Sequence, residues 1–459
     1  MNCKQCGQQI RREHKREDGK YVCPGCGKIY RVKQAAKAPQ SPAKPPVKAK
    51  GKPGIRLYII AAAVAVVLLL LLILIPAGKE DKIAAEPTAS PTPVPTVTAT
   101  PVPTPEPKRA IVTGQPASVH FRAVGDVMSH KLQLTHAEIA NGVYNYDSQF
   151  MYVKDALSKA DYTIANLETS ISVGKEYSSY PRFKTPEAIL DTLKDCGVDM
   201  LTMANNHILD DFYQGLKKTV DEAEERGFDH IGAYRTAEEA QKPMIRDING
   251  IRFGFLAYTT YLNENERRLD SATRAFAVNR LQEADLKADV KALRDAGAEV
   301  VICLPHWGVE NKRSVAGETR EWARQMVEAG VDIILGSHPH VVHPIDVGEM
   351  EVDGEMKDIL IAWSMGNFIS YMANQYMDSG IIVDFTVSRD EAGNISIDNV
   401  GYVPVYVAGS KEYFHVLCSG DFYNNKPSSM SSSDFKRMRE SVKEIAGMIG
   451  QDGITMLQN

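Results

Sequence analysis

Five apolar, β-rich runs along this chain each stop at a cluster of side chains that bind metals or move protons. They are SVHFRAV before Gly125, Asp126 and His130; DYTIA before Asn166 and Glu168; VDMLTMA before Asn205, Asn206 and His207; EVVICLP before His306; and VDIILGS before His338 and His340. Runs of this length predict buried strands, and amphipathic stretches at 186–196, 214–226, 282–296 and 318–329 predict helices between them. That alternation predicts βαβ units and a sheet covered on both faces. After Gly366 and Asn367 the pattern turns to extended segments (GIIVDFTVS, ISIDNVGYVPVYV), expected as a second, antiparallel layer, with a last helix over 433–448. The expected class is α/β, with layered β-sheets flanked by helices. Because ligands sit beyond the carboxyl ends of strands in open α/β sheets, the five clusters are expected to converge in one crevice.

Charge and composition divide the 459-residue chain sharply. Residues 1–56 carry +12 and the rest −17, against −5 overall. Between these parts Leu57 to Ile75 runs nineteen residues without a charge, close to the ~20 that an α-helix needs to cross a bilayer. A cleaved signal peptide is the competing reading, but the stretch is long, starts far into the chain and lacks a small-residue cleavage site. Eight Lys/Arg between Arg31 and Arg56 predict, by the positive-inside rule, a cytoplasmic N-terminus and an extracellular acidic domain on a single-pass membrane anchor.

Cys3-x2-Cys6 and Cys23-x2-Cys26 have the spacing of a four-thiolate zinc ribbon, a structural Zn site suited to a reducing cytoplasm. Its basic flank is explained by the anionic inner leaflet as readily as by a protein or nucleic-acid partner, and no clear nucleic-acid signal accompanies it. The Pro/Thr-rich stretch that follows the apolar run buries no core and favours extended polyproline II. The expected division is therefore 1–34 ribbon, 35–56 basic linker, 57–75 transmembrane helix, 76–117 stalk, 118–408 main domain and 409–459 C-terminal extension. Cys196, Cys303 and Cys418 show no spacing logic, and Cys303 is expected in the core.

Of eleven histidines, His130, His207, His306, His338, His340 and His343 lie in or beside the strand-end clusters. Imidazole and carboxylate together suit Zn, Mn or Fe, and mixed His/Asp/Glu/Asn shells typify paired-metal hydrolytic sites. Glu168 is the candidate bridge between two divalent ions. Asn206 offers an amide oxygen to a metal, while His207 beside it is suited to proton donation near neutrality. Asn205 is expected to support the loop. Arg182 and Lys184 are candidate cationic contacts for an anionic substrate, with surface solvation as the alternative. Trp307 is expected to pack on the site wall, with substrate stacking as the alternative, and His343 to face the rim or the substrate.

The segments GDVMSH, ANLETS, RFKTPEAILDTLKDCGVDMLTMANNHILD, LPHWGVE, GSHPHVVHPI and SMGNFI, in that order, resemble the motifs of the CapA family of capsule synthesis proteins associated with poly-γ-glutamate. That family is in turn similar to calcineurin-like metallophosphoesterases. The resemblance implies one metal on Asp126, His130, Glu168 and His340, another on Glu168, Asn206, His306 and His338, and His207 as general acid. Two departures bear on this: His130 lies four residues after Asp126 instead of two, and Glu168 stands where an Asp is usual. A single ion or a metal-free pocket are the alternatives they leave open.

Two functions follow as expectations. One is a membrane-anchored, metal-dependent hydrolase or transferase acting outside the cell on an anionic polymer, toward which the resemblance points as poly-γ-glutamate. The other is a non-catalytic polymer-binding or scaffold subunit of a synthase and exporter. A domain of charge −17 repels a polyanion at close range, so polymer contact is expected to depend on bound divalent ions.

Overall fold

The computed structural model describes residues 115–352, 355–372, 374–450 and 453–458, together with two paired strands, Tyr21–Val22 and Ile29–Tyr30. Cys3, Cys6, Cys23 and Cys26, the apolar run 57–75 and the stalk up to residue 114 lie outside the described residues. Among the described residues no helix is long and apolar enough to cross a membrane.

The main domain is built on two sheets. The first starts with four parallel strands, β1 (Ala117–Val127), β2 (Tyr162–Leu167), β3 (Met200–Thr202) and β4 (Asp229–Ile231). Helices α1 (Lys131–Ala137), α2 (Ala188–Asp195) and α3 (Phe212–Glu225) lie in the connections between them. The chain then builds the second sheet from β5 (Met244–Ile248), β6 (Ile251–Thr259), β7 (Val300–His306), β8 (Ile333–Leu335), β9 (Ile345–Val352) and β10 (Glu355–Ala362). Its order is β5-β6-β7-β8-β10-β9, parallel at the centre and finished at each edge by an antiparallel hairpin. Helices α4 (Leu286–Asp295) and α5 (Gly317–Glu328) precede β7 and β8.

The second layer is thus not the one the sequence suggested. After β11 (Asn367–Ile369), the strands β12 (Ser379–Arg389) and β13 (Ile395–Gly409) join the first sheet, β12 pairing antiparallel with β1 from Ile382↔Val124 to Arg389↔Ala117. An unpaired edge along β1 would leave a row of backbone donors and acceptors exposed; β12 covers it. The segment 409–459 continues the same body: β14 (Phe414–Cys418) pairs with β13, and α6 (Ser432–Ile449) buries Ile445 and Ile449 in the common core.

Alternation along the second sheet explains why its central strands read as unbroken apolar runs. In β6 and β7, Phe253, Phe255, Val300, Ile302 and Leu304 enter the core shared with the first sheet, whereas Leu256, Tyr258, Val301 and Cys303 enter a second core under α4 and α5. Across the shared core the Phe121 and Phe253 ring centroids stand 4.8 Å apart and edge-on, an arrangement worth ~0.5–1.5 kcal/mol beyond the area it buries. Both sheets are thereby fixed face to face, and the carboxyl ends of β1, β2, β3, β7 and β8 carry the polar clusters.

One local irregularity aims the first of those clusters. The register of β1 against β2 slips between Val124 and Asp126, and Asp126 N donates to Gly366 O at 3.0 Å. A Cβ on Gly125 would lie 2.0 Å from that same carbonyl. Only glycine lets β1 approach the segment at Gly366 so closely at the bulge. Gly125→Ala is therefore expected to cost about 3 kcal/mol through overpacking; urea denaturation checks it, with a midpoint well below that of the unaltered chain.

Candidate metal centre

Each functional side chain arrives at the end of a strand. Asp126 is the second-last residue of β1, Glu168 follows β2, Asn206 follows β3, His306 ends β7, and His338 and His340 follow β8. All six are buried, and Asp126 and Glu168 are fully enclosed. His338 and His340 have φ of +98° and +58°, a region that costs a branched or bulky residue energy and tends to mark functional sites. Gly336, just before them, lets β8 close on β10: a Cβ there would stand 2.3 Å from Trp363 O.

The cluster has two overlapping halves. Around His306 Nε2 lie Asn206 Oδ1 at 2.8 Å, His338 Nδ1 at 3.1 Å and Glu168 Oε1 at 3.6 Å. In the other half, His340 Nδ1 meets Asp126 Oδ2 at 2.9 Å while its Nε2 stands 3.7 Å from Glu168 Oε1. Glu168, His306 and His338 bring donor atoms within 4.8 Å of one another, as do Asp126, Glu168 and His340, so Glu168 belongs to both sets. The structure therefore gathers Asp126, Glu168, Asn206, His306, His338 and His340 in one place, with Glu168 between the halves.

Electrostatics show what these groups lack. Burial and the neighbouring Asp126 hold the Glu168 carboxyl well above the usual carboxylate range. Burial pushes His306 well below its ordinary value and His338 down to about 3, each helped by the positive charge on His340. His340 goes the other way: burial opposes its charge, but the hydrogen bond and charge of Asp126 raise it. Asp126 is lowered in return, against the cost of its own burial.

Both Glu168 oxygens and His130 Nε2 are buried without a hydrogen-bond partner. Such orphaned groups cost ~1–3 kcal/mol each. A divalent cation would satisfy the Glu168 oxygens and separate the facing imidazole nitrogens, and the mixed nitrogen and oxygen donor set fits Mn, Fe or Zn. The residues present fit such a group.

His130 stands apart from these sets. The four-residue spacing carries it past the end of β1 to the N-cap of α1, where its ring sits 5.0 Å from that of Phe183. Burial, with the charges of His340 and His207, pushes it down to about 4, so it is near the centre yet outside the groups of close donor atoms. His207 shares the Phe183 ring with His130: its Nδ1 is 2.6 Å from Asp210 Oδ2, and its ring is edge-on to Phe183 at 4.7 Å. Asn205 holds the loop, donating to Leu167 O at 2.8 Å and accepting from His207 N at 3.2 Å.

Asn166, named from the sequence only as part of its strand-end cluster, and three residues that sequence reasoning did not select join the site. Asn166 donates to Asp126 Oδ1 at 2.8 Å, and Asn367 Oδ1 lies 3.1 Å from His340 Nδ1. Asp210 orients His207 and is itself held by Phe183 N at 2.7 Å. Glu310, on the loop after β7, brings a carboxylate within 4.8 Å of His338 and His340 nitrogens. All four sit inside the conspicuous segments ANLETS, NNHILD, LPHWGVE and SMGNFI, which was the available signal.

A cleft of about 410 Å³ opens beside His338, lined by Tyr261, Gln282, Glu310, Glu318 and Trp322 among others. Trp307 forms part of its wall, fully buried with Nε1 donating to Trp363 O at 3.1 Å. His343 is buried, with Nε2 2.6 Å from Lys312 O. Lys184 is ion-paired with Asp211 at 2.7 Å, and Arg182 Nε donates to Asp210 O at 2.9 Å.

A buried carboxylate and imidazole cluster at the strand ends of a two-sheet α/β domain defines a candidate divalent-metal protein. The family model for the bacterial capsule synthesis protein PGA_cap matches residues 120–372, more than half of the chain, and the chain belongs to that family. It is 27% identical over 284 residues to the PGA biosynthesis protein CapA of Bacillus subtilis, covering 60% of this chain and 69% of that one. Against the capsule biosynthesis protein CapA of Bacillus anthracis it is also 27% identical, over 253 residues, covering 54% of this chain and 58% of that one. Among solved structures, the calcineurin-like phosphoesterase YfkN of Bacillus subtilis overlaps 73% of the chain at 12% identity and a TM-score of 0.39. So distant an overlap does not set the fold; the strand order does.

Metal addition is expected to stabilise the protein. At a cation concentration about a hundredfold above Kd the gain is ~2.7 kcal/mol, seen as an upward shift in Tm with Mn(II) or Zn(II). Replacing Glu168 with Gln is expected to abolish most of that shift, and His338→Ala to reduce it; an undiminished shift in both variants contradicts the site.

Proposed function

We propose that this chain is a membrane-anchored capsule-synthesis protein whose outer domain is a metal-dependent hydrolase or transferase acting on an anionic cell-surface polymer, poly-γ-glutamate being the leading candidate. The polymer class is supported by family membership and by the named activities of the Bacillus relatives. The anchor rests on the uncharged run Leu57 to Ile75, and the outward orientation on the Lys/Arg excess before it. Cys3, Cys6, Cys23 and Cys26 are assigned to a structural zinc ion in the cytoplasm. Synthase or exporter subunits in the same membrane are the natural partners.

The observation that carries the enzymatic reading is the 2.6 Å pairing of His207 with Asp210, directly beside Asn206 in the donor cluster. A polymer-gripping module needs the cations; it has no use for an oriented proton donor. Glu168, Asp126, Asn206, His306, His338 and His340 would hold divalent ions, which would supply Lewis-acid stabilisation of negative charge developing on an attacked phosphoryl or acyl oxygen. Asp210 fixes the ring of His207 through Nδ1, which leaves Nε2 as the nitrogen that delivers a proton to the leaving group. Phe183, between His207 and His130, walls this side against water.

Replacing His207 with Gln is expected to lower turnover of phosphodiester or γ-glutamyl model substrates by ~10²–10⁴-fold. The metal-induced rise in Tm should survive. Unchanged capsule and unchanged turnover in that variant would instead favour the scaffold reading. Poly-γ-glutamate binding is expected to fall when a chelator removes the cations; equal binding with and without chelator contradicts metal-dependent contact.

A further inference from the structure

We infer that Arg182 and Arg268, set around the ring of Phe212, form a carboxylate-binding track for an anionic chain on the His207 side of the metal centre. This rests on the polymer reading above and adds the residues that grip the substrate.

The cleft beside His338 is unsuited to a polyanion. Its lining includes Glu310 and Glu318 and contains no Lys or Arg. A chain of carboxylates meets repulsion there and needs a path elsewhere.

Two guanidiniums gather instead around Phe212, beside the loop that carries Asp210. Phe212 opens α3, two residues after Asp210, with φ of +60° and 39% of its surface exposed. A bulky residue in the left-handed region carries strain, which tends to mark functional positions. Over that ring lie the guanidinium carbons of Arg182 at 4.3 Å and Arg268 at 5.0 Å from the centroid. Among the described residues neither guanidinium is paired with a carboxylate: Arg182 is held from behind by Asp210 O, while Arg268 is exposed. Lys184 and Arg267 differ in this respect, since Asp211 and Glu264 neutralise them.

Two unpaired like charges gathered on one ring repel each other, and an anion between or across them removes that cost. Both being within 5.0 Å of one centroid, the guanidiniums are separated by no more than about 10 Å. In a γ-linked glutamate chain five backbone bonds separate successive carboxylates, roughly 6 Å when extended. One repeat therefore fits the pair, and arginine's planar fork matches each carboxylate. Because Arg182 is bonded to the residue that orients His207, a chain seated on the track is delivered to the proton donor.

The test is fluorescence anisotropy of a short labelled γ-linked glutamate oligomer on the full-length chain with Mn(II) present. Arg268→Gln, an exposed change, is expected to weaken binding roughly tenfold, and Arg182→Gln with Arg268→Gln further, with a shallower dependence on salt. Glu318→Gln is expected to bind as tightly as the unaltered chain or more so. The Mn(II)-induced shift in Tm serves as the folding control for every variant. If both arginine variants bind like the unaltered chain, the track is overturned while the polymer reading stands. If the unaltered chain binds no oligomer, with or without Mn(II), the polymer reading falls and the track falls with it.

Discussion

The centre of this protein depends on one electrostatic predicament: two carboxylates, Asp126 and Glu168, and three imidazoles are enclosed together with too few protons and hydrogen bonds to satisfy them. Asp126 and His340 resolve part of it as a buried ion pair at 2.9 Å. Glu168 is left with two orphaned oxygens, and the His306 and His338 nitrogens face each other at 3.1 Å. Without added charge the burial of these groups is a net cost, since a carboxylate in a dry interior needs a partner. A divalent cation would supply that partner, and the mixed nitrogen and oxygen donors fit one.

The fold makes the predicament possible by bringing distant strands to one edge and preventing relaxation. Asp126 comes from the first sheet and His306 from the second, and the aromatic contacts between Phe121 and Phe253 hold the sheets in fixed relation. At the strand ends, the bulge at Gly125, the close approach at Gly336 and the left-handed His338 and His340 leave the side chains little freedom to turn away. Around them Asn166, Asn205, Asn367 and Asp210 hold Asp126, His340 and His207 by hydrogen bonds. Such outer supports commonly matter nearly as much to metal affinity as the ligands do.

Much of this was legible in the sequence because buried parallel strands announce themselves as continuous apolar runs. The five strands that carry the site, and helices at 188–195, 212–225, 286–295, 317–328 and 432–449, fall close to where periodicity puts them. The edge hairpins of the second sheet did not stand out: MIRDI and IDVGEMEV mix charged and apolar positions, as half-exposed strands do. The strands after Asn367 were recognisable as extended, but a two-residue repeat does not say which sheet a strand joins, and they went to the first. Within the site, residues at strand ends were visible by position. Asp210 and Glu310 were not, since a carboxylate after a turn reads the same whether it caps a helix, orients a histidine or faces a metal. His130 shows the reverse case: its type suggested a ligand, while its spacing placed it at the start of α1.

The central claim is that Glu168 stands between divalent cations held by residues from both sheets. Anomalous diffraction at the manganese absorption edge, from crystals of the protein grown with Mn(II), tests it most directly. The account predicts anomalous peaks on either side of the Glu168 carboxylate, one beside Asp126 and His340 and the other beside Asn206, His306 and His338. Well-ordered crystals with no peak at Glu168 would contradict it.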